Sequence, residues 1–175
     1  VSGPDEKAEA ARLAYLLAIA SARESIRIAH AYFIPDDLMM RTLLEARQRG
    51  VEIEVIAPAI NDSLIGRAAA RSRWGELLAA GVKIHLYEPA LYHCKVMIVD
   101  ERFVTAGSIN FDNRSFAIND EANLCLLDPV AARPHLKAFA EDLADSRPYS
   151  LTEHRARPVW VKAGDWLCGL VSPLL

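Results

Sequence analysis

At 175 residues the chain is long enough for one domain with a proper hydrophobic core, and its 52% hydrophobic and 25% charged residues are typical of a globular protein. Its net charge is −3, with Lys and Arg spread along the chain, which argues against a nucleic-acid-binding protein because such proteins carry a basic patch. The sequence contains no signal peptide and no run of about eighteen apolar residues, so no segment is predicted to span a membrane.

The first half of the chain alternates between predicted helices and strands. Residues 1–6 have no hydrophobic periodicity and are interpreted as a linker, and the absence of an initial Met indicates a piece of a longer protein. The predicted elements that follow are a helix from Lys7 to about Arg23, a strand over 26–33, a helix over 38–48, a strand over 51–57, a helix from about Asn61 to Ala80 and a strand over 82–87. This alternation predicts an α/β sandwich with a mixed, largely parallel sheet.

The second half of the chain adds three predicted strands and a helix. A run of β-branched and apolar residues predicts a buried strand over 96–99, and further strands are predicted over 103–110 and 121–127. Asp128 and Pro129 then open a helix that extends to about Ala144.

The last segment, residues 157–175, is predicted to be amphipathic. If it is helical, one face carries apolar residues such as Trp160 and Leu167, and Arg155 and Lys162 lie near its start. Such a segment is typical of a helix at a membrane interface, and equally of a terminal helix packed against the core. The sequence leaves both alternatives open.

The clearest chemical signal is a His-x-Lys pair at the start of the buried strand. Because side chains alternate along a strand, His93 and Lys95 share one side and Cys94 points to the other. On the next strand, Ser108 and Asn110 share one side by the same rule. An ammonium, a hydroxyl and an amide can bind the oxygens of a phosphate while the imidazole performs proton transfer or covalent chemistry.

The spacing of these residues resembles the HKD signature of the phospholipase D superfamily. The pattern is His-x-Lys, four residues, Asp, six residues and Gly-Ser-x-Asn, with many fixed residue types in a short stretch. The residues that occupy its positions are His93, Lys95, Asp100, Gly107, Ser108 and Asn110.

The resemblance extends to the C-terminal half of bacterial cardiolipin synthases. The runs over 107–116 and 119–123 are similar to the second HKD motif of that family, and residues 2–5 and 31–36 match further landmarks. The chain departs from the family at His30, where a small residue is usual, and at Cys94, where Ala is commoner.

The resemblance implies a phospholipase D-like α/β/α sandwich over residues 7–156 with one HKD motif. In that superfamily two such motifs meet at a pseudo-twofold axis, where one His becomes phosphohistidine and the other protonates the leaving group. The second motif is therefore expected from a missing N-terminal half or from a homodimer partner. No metal or other cofactor is expected, because Lys and His supply the charge.

The resemblance also assigns roles to individual side chains. Glu121 falls where the family places an acidic residue that hydrogen-bonds a catalytic imidazole. Asp100 is a motif residue and so a catalytic candidate, although it shares a face with Cys94, which favours a role in bracing the turn. The residues expected to bind substrate are Arg114 and Ser115. Arg114 could instead form a structural ion pair with Asp112 or Asp120.

Three functions remain open at this stage. The first is a phosphatidyltransferase similar to cardiolipin synthase, acting on a phospholipid such as phosphatidylglycerol at the surface of the bacterial inner membrane, on its cytoplasmic side. The second is a homodimeric phosphodiesterase or nuclease, against which the acidic charge balance counts. The third is a catalytically silent lipid-binding domain.

Overall fold

The computed structural model describes residues 8–117 and 119–170. Their strands are β1 Ser25–His30, β2 Glu52–Pro58, β3 Lys83–Tyr87, β4 Lys95–Val99, β5 Phe103–Gly107, β6 Asn123–Leu127 and β7 Ser146–Tyr149. Their helices are α1 Ala8–Ser21, α2 Asp37–Gln48, α3 Leu64–Ala79, α4 Asn113–Ala117, α5 Pro129–Ala144, α6 Leu151–Ala156 and α7 Val159–Leu170. The linker predicted over residues 1–6 lies outside the described residues.

The strands form one mixed sheet in the order β6-β5-β4-β1-β2-β3-β7. Parallel pairing joins β1 to β2 and β2 to β3 at its centre, and the flanking strands β4, β5, β6 and β7 add antiparallel pairs. The predicted α/β sandwich with a mixed sheet and a parallel centre is confirmed. Strand β7 was not predicted, because it is short and contains Pro148, a residue that sheets accept only at an edge.

Both faces of the sheet are covered, which gives three layers. Along β1, Ile26 and Ile28 belong to one core cluster and Ala29 to another, as the period of two requires. Helices α1, α2 and α3 pack on the first face, and α5 covers the second through Ala132 and Phe139.

The helix starts agree with the capping residues in the sequence. Asp36 accepts hydrogen bonds from the N–H groups of Leu38 and Met39 at the start of α2. Ser63 and Asp128 cap α3 and α5 in the same way. These caps satisfy helix N–H groups that would otherwise lack a partner.

One edge of the sheet collects the polar motif residues. The C-terminal ends of β1, β2 and β3 lie there, together with the N-terminal end of β4, since His30 pairs with Lys95 across β1 and β4. The C-terminal end of β5 and the N-terminal end of β6 meet at the same edge. We call this the upper edge.

The tail predicted over 157–175 contains α7, which packs along α3. Its inward face carries the buried Asp165 and the partly buried Cys168. The described part of the tail is therefore a helix that packs on the domain, but not through the predicted apolar face, and the choice between a membrane role and a purely structural one stays a prediction. The outward face remains apolar and exposed through Trp160, Trp166, Leu167 and Leu170.

In the described ranges, none of the helices has the length and apolar character needed to cross a bilayer.

Candidate active site

The two residues of the His-x-Lys pair lie together at the upper edge. Lys95 is the buried first residue of β4, and His93 precedes it in an exposed position. Nζ of Lys95 lies 3.2 Å from Nδ1 of His93 and 3.4 Å from its Nε2. The prediction that both side chains share one side is confirmed, so one phosphoryl group can meet an ammonium and an imidazole together.

Opposing effects act on the charge of Lys95. Burial is the largest and lowers the pKa of this ammonium, whereas the carboxylates of Glu121, Asp112 and Asp62 act in the opposite direction. Lys95 is thus a poorly hydrated cation within the field of several acidic groups. A phosphate oxygen that approaches the Lys95 ammonium therefore has little bound water to displace.

Ser108 and Asn110 reach the upper edge by a different route from the one predicted. Strand β5 ends at Gly107, not at residue 110, so the two residues lie beyond the strand. A Cβ atom at Gly107 would come 2.2 Å from the carbonyl oxygen of Ala122, so only glycine permits this close approach of β5 to the chain before β6. Oγ of Ser108 then accepts a hydrogen bond from the N–H of Ala122 at 3.0 Å.

After Ser108 the chain leaves β5 and crosses to the end of β1. Phe111 forms a parallel bridge with Phe33, and hydrogen bonds at 3.1 and 2.8 Å join Phe111 to the backbone of Tyr32 and Ile34. This crossing places Asn110 beside Tyr32 in a pocket. Oδ1 of Asn110 is buried and has no hydrogen-bond partner within the described structure, so it is available to a ligand's donor.

Glu121 belongs to a polar network that holds the short helix α4. Its Oε1 accepts hydrogen bonds from Oγ of Ser115 at 3.4 Å and from Nδ2 of Asn119 at 3.3 Å. Ser115 is fully buried, and its N–H also binds the carboxylate of Asp112 at 2.8 Å. Burial raises the pKa of Asp112 above the usual range of a carboxyl group. Glu121 therefore contacts Ser115 and Asn119, and its predicted bond to an imidazole stays a prediction.

The motif aspartate lies far from the rest of the motif. Asp100 follows β4 at the lower end of the sheet, in a left-handed conformation with φ 48°. Its carboxylate accepts hydrogen bonds from the N–H groups of Arg23, Glu24 and Ser25 at 2.8 to 3.2 Å. Partial burial alone would raise the pKa of Asp100, but these three hydrogen bonds lower it below its usual value. The structure does not bring Asp100 to the site.

A pocket of about 270 Å³ opens at the upper edge between α3 and α4. Arg114 lies in its lining with an exposed side chain, and its Nε donates to Oδ1 of Asn119 at 3.3 Å. Tyr32 donates a hydrogen bond to Asp62. Burial first, and then this bond, raise the pKa of Tyr32 to about 12. His93 and Lys95 do not line the pocket. One of its lining residues, Asp112, nevertheless acts on Lys95, because its negative charge opposes the lowering of the Lys95 pKa.

Comparison with known proteins identifies the family. A family model described as "Cardiolipin synthase, PLD-like domain" matches residues 15–143. The chain belongs to this family. It is 37% identical over 173 residues to a cardiolipin synthase from Geobacillus sp. (strain WCH70), and 33% identical over 174 residues to the major cardiolipin synthase ClsA from Bacillus subtilis (strain 168).

The chain spans about a third of the length of these synthases. The matches cover 99% of this chain but 34% and 36% of the two relatives. Among solved structures, a phospholipase D family member, Nuc from Salmonella typhimurium, is 27% identical with a TM-score of 0.70, and the match covers 80% of this chain and 91% of Nuc. A phosphatidylserine synthase from Haemophilus influenzae has the same fold, with a TM-score of 0.73 over 99% of this chain.

Sequence reasoning missed several residues of the candidate site. Tyr32, Asp62 and Asp112 have no place in the HKD spacing, although Tyr32 lies in the 31–36 landmark and Asp112 in the run after Asn110. Their position depends on the crossing of the chain from β5 to β1. Within the described residues, no three His, Cys, Asp or Glu side chains cluster as metal ligands do.

His30, one of the departures from the family, lies in the core directly behind the site. It is fully buried at the end of β1, edge-on to Phe111 with 5.6 Å between ring centroids. Neither ring nitrogen has a hydrogen-bond partner within the described structure. Burial first, and then the charge of Lys95, lower the pKa of His30 to about 3, so it remains neutral at physiological pH.

Proposed function

We propose that this chain supplies one half of the active site of a phospholipase D-type phosphatidyltransferase that makes cardiolipin or a similar lipid. The observation that carries the proposal is the contact of Lys95 with His93 at 3.2 Å, at the upper edge of a domain of the cardiolipin synthase family. A phosphodiester placed there meets a fixed cation and a solvent-accessible imidazole. These are the groups that phosphoryl transfer requires.

The proposed reaction has two steps. A histidine nitrogen attacks the phosphorus of phosphatidylglycerol, the bond from phosphorus to the glycerol oxygen breaks, and a second imidazole gives that oxygen its proton. The same imidazole then removes the proton of an acceptor alcohol, whose oxygen displaces the histidine. In two-motif members the N-terminal His is commonly the nucleophile, so His93 would be the acid and then the base.

The oxygens of the phosphoryl group need partners throughout both steps. Lys95 supplies positive charge, and the NH₂ group of the Asn110 amide is proposed to donate to a further oxygen at the same edge. The Ser108 hydroxyl, which accepts from and donates to the backbone of Ala122, is proposed to hold the chain that carries Asn110. Arg114, at the mouth of the 270 Å³ pocket, has a planar fork suited to a second pair of oxygens. The roles of Glu121 and Ser115 in this proposal are to hold α4 and thereby position Arg114.

A second imidazole must come from another half. Within the described residues, His30 is buried in the core, His85 binds Glu54 at 3.0 Å, and His154 lies beside Tyr149. The remaining one, His135, is on α5, which covers the opposite face of the sheet from Lys95. None of these can face His93 across a phosphate. The partner is proposed to be a second HKD-bearing domain, for which the other two thirds of the synthase relatives leave room, or a second copy of this chain.

The surface around the site suits a lipid substrate. Large aliphatic side chains are exposed on the segments that border the two motif residues and the pocket: Ile60, Leu64, Ile65 and Leu91. Leu64 and Ile65 flank the pocket residues Ser63 and Gly66, and Leu91 precedes His93 by two positions. Such a rim favours acyl chains or the apolar face of a partner half over water.

The test is turnover of phosphatidylglycerol in mixed micelles, with cardiolipin, free glycerol and phosphatidic acid measured as products. The protein is the chain together with its partner half, compared with the variants His93→Ala and His135→Ala, the latter a matched histidine on α5 away from the site. We expect His93→Ala to lose at least about a thousandfold in turnover and His135→Ala to keep it. His93→Ala activity within about tenfold of wild type, or 1.4 kcal/mol, would refute the proposal.

The same assay addresses the alternative of a homodimeric phosphodiesterase. One observation favours this alternative. The match to this chain, which is a single unit with one motif, covers 91% of Nuc. Formation of phosphatidic acid without cardiolipin, in proportion to dimer concentration, would support that alternative. Lipid binding without either product would support a catalytically silent domain.

A further inference from the structure

A second pocket lies beside the site, on the other side of the first turns of α3. Its volume is about 340 Å³, and it lies between α3, the ends of β2 and β3, and the start of α7. Trp74 and Tyr149, which pack edge-to-face at 5.7 Å, form part of its wall. The arginines in its lining are Arg67, Arg71, Arg147 and Arg157.

Acidic residues of the fold compensate part of this charge. Asp165 receives both Arg71, at 2.7 Å, and Arg157, so two guanidinium groups share one carboxylate. Burial first, and then the positive charge of Arg157, lower the pKa of the neighbouring His154 to about 4. Each of the two guanidinium groups therefore has only half a counter-charge.

Arg147 differs from the other arginines, because it is compensated completely. It contacts Glu88 at 2.9 Å and Glu153, which also lines the pocket, at 3.0 Å. These pairs are roughly half exposed and therefore weak, so an incoming anion can displace them.

Arg67 carries the strongest signal of a missing ligand. Its side chain forms no ion pair or hydrogen bond with any other residue of the described part of the chain, and its Nε is buried without an acceptor. The Nε of Arg71, one turn further along α3, is also buried and unpartnered. Buried N–H groups in native proteins almost always have an acceptor, and oxygens of an anion would satisfy both.

The position of Arg67 on α3 places this pocket next to the 270 Å³ pocket of the candidate active site. Ser63 and Gly66 line the 270 Å³ pocket, and Arg67, the residue after Gly66, lines the second one. Both pockets also contain residues at or beyond the C-terminal ends of strands, so both open at the upper edge of the sheet.

We propose that the pocket lined by Arg67 and Arg71 is a second anion site, separate from the contact of His93 with Lys95, which binds a phosphate ester. The inference rests on the proposed function for the identity of that phosphate ester as a phospholipid headgroup, but the anion site itself does not depend on turnover. Phosphate oxygens accept bidentate hydrogen bonds from guanidinium groups. The rings of Trp74 and Tyr149 in the pocket wall exclude water from the space around the arginines.

The test measures binding by calorimetry and amide chemical-shift titration, with inorganic phosphate and glycerol 3-phosphate as probes. The background is His93→Ala, so that ligand contacts at the catalytic imidazole are weakened in every sample. We expect Arg67→Gln to weaken binding at least about fivefold, and Arg67→Lys to weaken it less. The matched control Arg41→Gln removes an exposed arginine of α2 and should leave binding unchanged.

Two results would overturn the inference. One is equal binding by Arg67→Gln and Arg41→Gln, and the other is complete loss of phosphate binding in the His93→Ala background itself. The second result would leave the proposed function standing, whereas absent turnover with Arg67-dependent binding would refute the proposed function alone. Thermal melts of each variant exclude unfolding, which Arg67→Gln is not expected to cause because its side chain has no partner among the described residues.

A parallel experiment distinguishes a lipid phosphate from a free one. Vesicles of phosphatidylcholine with about 30% phosphatidylglycerol are sedimented with both arginine variants. Weaker sedimentation of Arg67→Gln than of Arg41→Gln identifies a headgroup in the bilayer as the ligand. An Arg67 effect restricted to the soluble probes identifies a free phosphate ester.

Discussion

His30 on β1 lies directly opposite Lys95 on β4, so a fully buried neutral imidazole adjoins the buried ammonium of the site. Residues directly opposite in an antiparallel pair lie on the same face of the sheet. A second positive charge at His30 would repel Lys95 and would have no partner in the core. The core behind the site is therefore sensitive to acid.

This relationship predicts how stability depends on pH. The unfolded chain binds a proton at His30 near pH 6.5, whereas the folded protein excludes it until about pH 3. Below pH 6.5 the unfolded state therefore binds more protons, and stability falls as the pH falls, by up to about 1.4 kcal/mol per pH unit from this residue. The His30→Phe variant should have a shallower dependence between pH 6.5 and 4 in urea unfolding.

The control for this prediction is Met97→Leu on β4, a core substitution without a titratable group, which should keep the wild-type pH dependence. If His30→Phe and wild type lose stability in parallel on acidification, the imidazole is not excluded from protonation in the folded state.

Asp100 is predicted to serve folding and not chemistry. Its carboxylate binds three backbone N–H groups at the opposite end of β4 from Lys95, roughly 17 Å away along a strand of this length. Asp100→Ala should lower the free energy of unfolding by about 1–3 kcal/mol and change the turnover of folded protein by less than about threefold. Because the pKa of Asp100 is lowered, its contribution is present above pH ~4 and is lost as the pH falls further.

Urea unfolding and the phosphatidylglycerol assay, run beside the exposed variant Glu76→Ala, measure both quantities. A large loss of turnover in fully folded Asp100→Ala would contradict this prediction and show that Asp100 is needed for catalysis.

Asp165 is predicted to hold the last helix in place. It is buried and binds Arg71 and Arg157 at once, so Asp165→Asn leaves two guanidinium groups without a counter-charge. We expect a loss of about 3–5 kcal/mol in unfolding free energy, as for other broken buried ion pairs. Chemical denaturation measures this, and a change below about 1 kcal/mol would show that the ion pairs of Asp165 contribute little to stability.

The outward face of α7 is predicted to bind anionic membranes. Trp160 and Trp166 have exposed fractions of 77% and 62%, and Arg155 and Lys162 lie nearby. Because both indoles point away from the core, Trp160→Ser with Trp166→Ser should weaken binding to phosphatidylglycerol vesicles without lowering the melting temperature. Substitution is a sharper test than deletion of the tail, since deletion also removes Asp165.

The matched control is Leu13→Ser with Leu17→Ser, a pair of exposed leucines on α1. Equal vesicle binding by the tryptophan variant and this control would refute the membrane role of α7.

The sequence alone determined the local features of this protein. Strand alternation placed His93 and Lys95 on one side, caps such as Ser63 set the helix starts, and the HKD spacing identified the family. Periodicity and capping depend on residues only a few positions apart, so they can be recognised in the sequence without the tertiary structure. The spacing of a motif is likewise a local property.

Only the tertiary structure decided which distant groups meet. Asp100 binds N–H groups 75 to 77 positions earlier, and Arg71 pairs with Asp165 across 94 positions. The exit of Ser108 and Asn110 from the predicted strand follows from a crossing that depends on Phe33 and Phe111. Such contacts arise from long-range packing of whole elements, whose partners no local pattern specifies.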